Sequence, residues 1–344
     1  MEYPTFTHEH KSLMAKYLTK EIFDQLKNVT TGNGFSLNNA INSGVVNPES
    51  SIGVYAGDAE SYSCFSALFE PIIQEYHGFS SKQLHTTDLD PQKIPSQELD
   101  PEHDYIVSTR IRVGRNLAEM PLGPAITKEQ RDQVEANVIA ALAHLSGSFA
   151  GCYYPLTAMN AKVQKQLISD HFLFKEGDKY LEAAGLNRDW PAGRGIYHNQ
   201  QKTFLVWVNE EDQLRIISMQ KGGDIHQVFA LLTQALTELE QHLNFLFSDR
   251  LGYISSCPTN LGTAMRASVH IKLPYLSQNR AELNAITEQY HLQIRGVNGE
   301  HSHSEGGIFD ISNLRRLGVS EVQCVQDLYS GVVALIAKEE QQAK

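Results

Sequence analysis

Long apolar runs are missing from this chain of 344 residues. None approaches the ~18 consecutive apolar residues that a membrane-spanning helix needs. The N-terminal stretch MEYPTFTHEHKSLMAKYL is amphipathic, so we expect no secretory signal. Cysteine is also scarce, and Cys64, Cys152, Cys257 and Cys324 form no CxxC pair. Because a disulfide framework needs a denser pattern, we expect free thiols in a reducing, cytoplasmic compartment.

Basic residues are outnumbered, with 29 Lys and Arg against 40 Asp and Glu and a net charge of −11. Such a balance repels polyanions, so we expect no nucleic-acid partner and no membrane partner. Anions could still bind where the few arginines converge. Hydrophobic residues make up 41% and charged residues 20%, which is ordinary for a globular protein with a sizeable core.

Several motifs of nucleotide and metal chemistry are absent as well. The chain has no GxxxxGK[ST] loop, no GxGxxG after a predicted strand, no HRD and DFG pair and no HExxH. The segment GEHSHSEGG contains His301 and His303 but no third ligand close in sequence, so we interpret it as a polar loop rather than a metal site. These absences exclude the common nucleotide-binding and zinc-protease signatures.

The pattern of the chain predicts two domains. Apolar residues at helical spacing run through residues 13–26 and 59–77, with Pro71 interrupting the second stretch. Residues 80–104 are polar and contain three prolines, as a linker would. Five strands and a long helix over 224–247 follow; the strand segments are YIVSTRIRVGRN, TFLVWVN, LRIISMQ, RASVHIKLP and LQIRGV. We therefore expect an α+β protein: an all-helical N-terminal domain (1–90), a linker (91–104), and a larger domain (105–344) with an antiparallel β-sheet flanked by helices.

Arginines recur in the predicted strands. Arg110 and Arg112 alternate in STRIRVGR, so their side chains should share one face of a strand. Three more strand positions are arginines, namely Arg215, Arg266 and Arg295. Each one alone could be a solvated charge or a structural ion pair. Together they predict a clamp for a polyphosphate, because guanidinium groups bind phosphate oxygens bidentately and stay charged.

Carboxylates and one cysteine complete the candidate site. Glu210, Glu211 and Asp212 form the predicted turn of a hairpin, and Glu300 lies in a glycine-rich loop. Carboxylates that grip a cationic substrate would complement arginines that grip a phosphate. Cys257 is interpreted in two ways: as a small buried apolar residue, or as a thiolate whose pKa is depressed by nearby cations.

The segment CPTNLGTAMRASVHIKLP resembles the signature of the phosphagen (guanidino) kinases, a family that includes the creatine and arginine kinases. The resemblance covers essentially the whole chain, in order; its further segments are DYIVSTRIRVGRN, DHFLFKEGD, WPAGRGIYHN, TFLVWVNEEDQLRIISMQKGG and RGVNGEHSHSEGGIFDISNLRRLG. It implies reversible transfer of the γ-phosphoryl group of MgATP to a guanidino nitrogen, yielding ADP and a phosphagen that buffers cellular energy. Monomers and homodimers both fit the family.

The resemblance also implies roles for individual residues. The residues expected to bind the nucleotide are Ser108, Arg110, Arg112, His171, Arg215, Arg266, His270 and Arg295. Glu211 and Glu300 would align the guanidinium, either of them acting as base, and Cys257 would lie against it as a thiolate. No residue would ligate Mg²⁺ directly, since the nucleotide carries the ion, but Glu210 and Asp212 could hold its waters.

A loop in the N-terminal domain is expected to select the guanidine. It is most similar to the form found in arginine kinases, so L-arginine is the implied substrate; its residues are Ser50, Ser51, Ile52, Gly53, Val54 and Tyr55, joined by Tyr76. Backbone N–H groups of the loop could cradle an α-carboxylate. Three features depart from the usual pattern: the Ser51-Ile52 pair, a Glu49–Lys179 pair in place of Asp–Arg, and Asn298.

Other functions are weighed against this one. Taurocyamine, which carries a sulfonate, or another guanidine could replace arginine as the substrate. A protein-arginine kinase would share the catalytic domain but lack the N-terminal domain with its loop. A catalytically inactive binding module would be expected to lose one of the site residues, yet the sequence keeps them all.

Overall fold

The computed structural model describes residues 2–295 and 307–343. The N-terminal part is helical, as predicted; its helices are α1 (Leu13–Tyr17), α2 (Lys20–Leu26), α3 (Leu37–Val46), α4 (Ser61–Cys64) and α5 (Ser66–His77). The stretch expected to be one helix over 13–26 is two, because the Thr19 side chain accepts a hydrogen bond from the backbone N–H of Ile22 and starts a new helix. Pro71 lies inside α5 and does not end it. The helical stretch is interrupted earlier, at Phe65, between α4 and α5.

The larger part of the chain contains an eight-stranded sheet in which every neighbouring pair is antiparallel, as predicted. Its strands are β1 (Ile106–Arg115), β2 (Gly151–Pro155), β3 (Gly195–Asn199), β4 (Phe204–Val208), β5 (Leu214–Lys221), β8 (Met265–Lys272), β9 (Leu292–Arg295) and β10 (Ile308–Asn313), in the order β2-β3-β4-β5-β1-β8-β10-β9. A separate ribbon pairs β6 (Phe247–Ser248) with β7 (Gly252–Tyr253).

Three long helices cover one face of the sheet, and α7 (Ala161–Ser169) packs against one end of the other face. The other helices of this part are α6 (Lys128–Leu142), α8 (Lys179–Ala183), α9 (Ile225–Leu239), α10 (Arg280–Gln289) and α11 (Glu321–Gln342). Apolar residues of α6, α9 and α11 form the main core with sheet residues such as Ile111 and Ile216. The helix expected to reach residue 247 ends at Leu239, and the chain then leads into the ribbon. The opposite sheet face is left for polar residues, with an apolar cluster at one end around Trp207.

The segment predicted as an exposed linker lies along the larger domain. The Leu99 N–H donates to the carbonyl of Gly223 at 3.3 Å, and the Val322 N–H donates to the carbonyl of Asp88 at 3.0 Å. Ile94 is buried. The backbone of this segment therefore hydrogen-bonds to the larger domain, whereas the polar sequence suggested a segment exposed to water. The limits 1–90, 91–104 and 105–344 stay a prediction.

The cysteines are free thiols, as expected. Within residues 2–295 and 307–343, no helix is both long and apolar enough to span a membrane.

Candidate active site

Five arginines lie on the sheet face opposite α6, α9 and α11, because directly paired residues of antiparallel strands share a face. Arg112 pairs with Arg266, and Gly114 pairs with Arg215. Asp310 pairs both with Arg295 and with a residue of β8 on the same face. We call Arg110, Arg112, Arg215, Arg266 and Arg295 the arginine clamp.

The charges of the clamp repel one another. Burial, followed by the charges of Arg266 and Arg215, lowers the pKa of Arg110 to about 10. Burial and the charges of Arg215, Arg266 and Arg110 hold the pKa of Arg112 well below its usual value. A bound polyanion would relieve this repulsion, so the cluster is arranged for a ligand with several negative charges.

An aromatic ring supports two members of the clamp. The guanidinium carbons of Arg110 and Arg215 lie 5.4 Å and 5.6 Å from the ring centre of Trp207. The Trp207 Nε1–H donates to the carbonyl of Phe172 at 2.7 Å. Phe174 packs against the same ring, with 5.4 Å between the ring centres. The apolar cluster therefore holds the tryptophan in place against the two arginines.

Asp310 of β10, a carboxylate that the sequence analysis missed, contacts the clamp. Asp310 Oδ2 is 2.7 Å from Nη2 of Arg266 and 3.8 Å from Nε2 of His270. Burial opposes its ionisation, but hydrogen bonding from His270 and the charge of Arg266 lower the pKa of Asp310 to about 2. His270 pairs across the strands with Ser108, so Ser108 lies on the same sheet face, one strand further from this carboxylate.

Acidic residues of the hairpin between β4 and β5 contact the clamp directly. Arg215 Nη1 lies 2.8 Å from Oε2 of Glu210, and Nη2 lies 3.0 Å from Oε2 of Glu211. Burial raises the pKa of Glu211 to about 7, because it outweighs the opposing charge of Arg215, and Asp212 and Glu210 add to the increase. Glu211 can therefore accept or release a proton near neutral pH.

The third acid of the hairpin is buried. Asp212 Oδ1 accepts hydrogen bonds from Nδ2 of Asn116 and Oγ of Ser255, each at 2.8 Å. Its other oxygen lies against the backbone of β1, where a Cβ on Gly114 would come within 2.4 Å of it. Burial raises the pKa of Asp212 despite the hydrogen bonds. Because Gly114 has no side chain, the Asp212 carboxylate can lie at the edge of the clamp. It lines a cavity there together with Arg112 and Arg215.

Cys257 is buried beside the hairpin, in an environment that differs from the cationic one expected. Its sulfur lies 3.1 Å from Oγ1 of Thr259. Burial raises the pKa of the Cys257 thiol to about 12, and the charge of Glu211 adds to the increase. The surroundings of Cys257 thus fit its interpretation as a buried residue, and the thiolate against a bound guanidinium stays a prediction.

Two further residues that the sequence did not reveal connect to Glu211. Asn260 Nδ2 donates to Oε1 of Glu211 at 3.3 Å, and Arg316 Nη1 donates to Oδ1 of Asn260 at 2.8 Å. Asn260 lies within CPTNLGT and Arg316 within NLRRLG, both quoted segments of the family resemblance. Membership of these segments was the only signal, since the contacts span about 50 residues or more of chain.

The predicted specificity loop presents a row of backbone donors. The Ser50 N–H is already used, because it donates to the carbonyl of Asn47 at 3.0 Å, and the Tyr55 N–H donates to Ala40 at 2.9 Å. Between them, the N–H groups of residues 51–54 donate to no acceptor in the described part of the chain. Gly53 has a φ of +78°, a left-handed conformation that turns the loop and favours glycine. Four consecutive N–H groups of this kind suit a carboxylate.

The loop ends next to the hairpin and the cysteine. The Ala56 N–H donates to the carbonyl of Ser256 at 2.7 Å, one residue before Cys257. Tyr55 is buried, and burial followed by the charges of Cys257 and Glu211 raises the pKa of its phenol. The structure thus brings Tyr55, Cys257 and Glu211 together.

Other predicted residues lie further out or outside the described ranges. Tyr76 is an exposed residue of α5 whose ring contacts that of His77 edge to face. His171 is exposed just after α7, with a φ of +59°. Lys179 forms an ion pair with Glu49, as proposed from the sequence. Glu300 lies outside the described residues.

Models of two protein domains match the chain. Residues 133–342 match the C-terminal catalytic domain of ATP:guanido phosphotransferases, and residues 8–74 match their N-terminal domain.

Individual proteins match over nearly the whole chain. An arginine kinase from Anthopleura japonica is 54% identical, over 95% of this chain, which spans only 46% of that protein's length. An arginine kinase from Penaeus monodon is 52% identical, with 96% of this chain and 93% of the relative covered. The crystal structure of a lombricine kinase has a TM-score of 0.92 at 38% identity, with 98% and 94% covered. A duplicated taurocyamine kinase from Schistosoma mansoni, with bound transition state analog components, has a TM-score of 0.90 at 42% identity, with 96% and 46% covered.

Proposed function

This chain belongs to the ATP:guanido phosphotransferase family, and we propose that it is an arginine kinase that reversibly converts ATP and L-arginine into ADP and phosphoarginine. One observation carries the proposal. Arg215 of the clamp contacts Glu211 at 3.0 Å, so a phosphate-binding group and a guanidinium-binding group lie side by side. Phosphoryl transfer requires the phosphate donor and the acceptor to lie next to each other.

The clamp binds the nucleotide in this account. Its guanidiniums hold the β- and γ-phosphates and balance the charge that develops in a loose transition state. Ser108, His270 and Asp310 lie in a row across three strands on the same face, where the nucleoside end of ATP would extend. His171 is assigned to the adenine side by family resemblance alone.

The acceptor nitrogen is aligned by carboxylates. A guanidinium is a poor nucleophile, because it is protonated and its lone pair is delocalised. Glu211 accepts a proton from the attacking nitrogen as the N–P bond forms and the bond from phosphorus to the ADP oxygen breaks. The raised pKa of about 7 suits this exchange in both directions. The resemblance to the family implies that Glu300 also aligns the guanidinium.

Cys257 lies where it can face the same guanidinium. Burial, followed by the charge of Glu211, raises the pKa of the thiol and disfavours the thiolate before substrate binds. A bound guanidinium supplies the missing positive charge and stabilises the thiolate, which then orients the acceptor.

Magnesium accompanies the nucleotide in this proposal. Mg²⁺ prefers oxygen ligands, keeps several waters and binds through phosphates plus one or two carboxylates. Asp212 fits this use, because one of its oxygens is fixed by Asn116 and Ser255 while the other reaches the cavity at the clamp. Asp212 and Glu210 would therefore hold waters of the ion, which neutralises phosphate charge when bound.

L-Arginine is the acceptor that the loop favours. The N–H groups of residues 51–54 suit the α-carboxylate, and the Tyr55 hydroxyl adds a donor. The printed names of the sequence relatives agree, whereas the matching structures are of lombricine and taurocyamine kinases. Taurocyamine remains the second candidate, since its sulfonate is also an anion. We place the enzyme in the cytoplasm, as a monomer or homodimer, with energy buffering as its role.

Phosphorus NMR of the protein with MgATP and L-arginine tests the proposal. A resonance of an N-phosphorylated guanidine should appear as ADP forms, and adding ADP to purified phosphoarginine should regenerate ATP. ADP with inorganic phosphate alone, or no turnover, would overturn it.

A further inference from the structure

Side chains of α3 hydrogen-bond to backbone carbonyls of α8 in the larger domain. Asn42 Nδ2 donates to the carbonyl of Ala183 at 2.7 Å, and Ser43 Oγ donates to the carbonyl of Tyr180 at 2.9 Å. We call these two hydrogen bonds the α3–α8 junction. Asn42 and Ser43 are 130 or more residues from their partners along the chain.

One acceptor of the junction has no donor within α8, whereas the other, the Tyr180 carbonyl, also accepts the N–H of Ala184 at 3.0 Å. The last carbonyls of any α-helix have no intrahelical donor, and α8 has only five residues. Ala183 is the final residue of α8, so its carbonyl is one of these acceptors. The side chains of α3 therefore complete α8, and α8 in turn fixes where α3 lies.

The specificity loop is built onto α3. The loop approaches so closely that a Cβ on Gly44 would lie 2.5 Å from the Cα of Gly53. Its far end returns to the same helix, where the Tyr55 N–H donates to the carbonyl of Ala40 at 2.9 Å. A shift of α3 must therefore carry the donors of residues 51–54 with it.

The other side of the junction leads to the clamp. The chain reaches α8 shortly after Phe172, whose carbonyl accepts the hydrogen bond of Trp207. The ring of Trp207 in turn contacts the guanidinium groups of Arg110 and Arg215. The junction thus joins the loop that receives the acceptor's tail to the structure that holds the phosphates.

We propose that Asn42 and Ser43 are positioning residues that set the distance between the carboxylate-binding loop and Glu211. This inference rests on the proposed function, because it takes arginine as the acceptor. An acceptor with two fixed ends needs both sites at one separation, so loosening the junction weakens acceptor binding and leaves nucleotide binding intact.

Steady-state kinetics of Ser43→Ala and Asn42→Ala test the inference, with Asn38→Ala, at an exposed position of α3, as the matched control. Each junction variant should raise KM for L-arginine about five-fold, the loss expected for one hydrogen bond. Its KM for ATP and its kcat should stay within about two-fold of wild type, as should every parameter of the control. A merely structural role would reduce the folded fraction, which lowers kcat and leaves both KM values unchanged.

Three results would overturn the inference: an unchanged KM for arginine, an equal rise in both KM values, or the same rise in the control. Failure of the proposed function is distinguishable, because it appears in the wild-type protein. If wild type phosphorylates a different guanidine, arginine as substrate is wrong, and the same variants are compared on that guanidine. Wild-type protein without turnover on any guanidine would overturn both.

Discussion

The guanidinium of Arg215 lies 3.0 Å from the carboxylate of Glu211, and both side chains arise from one hairpin. We propose that the arginine holds a phosphate and that the glutamate holds the acceptor. In this proposal the hairpin sets the separation between the group that holds the phosphate and the group that holds the acceptor.

Glu211→Gln should lower kcat about 100-fold or more, because the amide cannot accept the proton or match the guanidinium charge. Affinity for ATP, measured by calorimetry, should change little in comparison. Glu102→Gln, at an exposed position, serves as the control and should behave as wild type. Near wild-type turnover in Glu211→Gln would remove this residue from the chemistry.

The ionisation of Glu211 should be visible in the ligand-free protein. Burial raises its pKa to about 7, so the folded state binds a proton that the unfolded chain releases between roughly pH 4.5 and 7. The contribution of Glu211 to stability is therefore full below pH 4.5 and is lost as the pH rises through 7. Carbon NMR of labelled glutamate carboxyls should show one resonance titrating near 7, absent from Glu211→Gln; titration of every glutamate below 5 would contradict this.

Arg266→Ala should weaken ATP binding and lower kcat, each by about 100-fold. Arg266 is one of the guanidiniums proposed to hold the phosphates, and its loss also leaves the buried Asp310 without its arginine partner. Arg280→Ala, at an exposed position on α10, is the matched control. Unchanged nucleotide affinity and rate in Arg266→Ala would exclude it from the clamp.

Cys257 should become more acidic when substrates bind. The thiol pKa is raised to about 12 without ligand, and a guanidinium in contact with the sulfur favours the thiolate. Thiolate absorbance near 240 nm, followed against pH, should shift to lower pH with MgADP, nitrate and arginine present. Cys257→Ser provides the blank and should lose less activity than Arg266→Ala. A thiol pKa that does not move on binding would separate Cys257 from the acceptor.

The sequence revealed those parts of the fold that repeat at a regular spacing. Alternation in STRIRVGR was enough to place Arg110 and Arg112 on one face. The antiparallel sheet was expected from the hairpin pair of TFLVWVN and LRIISMQ and from strands interleaved with long helices. Strands β2 and β3 were missed because GCYYP and GIYHN are short and carry little alternating pattern, and β10 was missed although FDIS within IFDISN alternates apolar and polar residues. Their place in the sheet comes from neighbouring strands rather than from local preference.

The site was less predictable where distant segments meet. Asp310 contacts Arg266 from 44 residues away, and Asn260 contacts Glu211 from 49 residues away. No local pattern encodes such pairs. The environment of Cys257 was also beyond the sequence, since it depends on burial and on the facing Glu211.

A comparison of acceptors tests the central claim most directly. With MgATP and ADP release coupled to NADH oxidation, kcat/KM is measured for L-arginine, agmatine, taurocyamine, creatine, glycocyamine and lombricine. Because the N–H groups of residues 51–54 are assigned to the α-carboxylate, arginine should exceed agmatine, which lacks it, by about 100-fold, and should also exceed taurocyamine. Equal use of arginine and agmatine, or preference for taurocyamine, would contradict this account of the loop and of the enzyme's substrate.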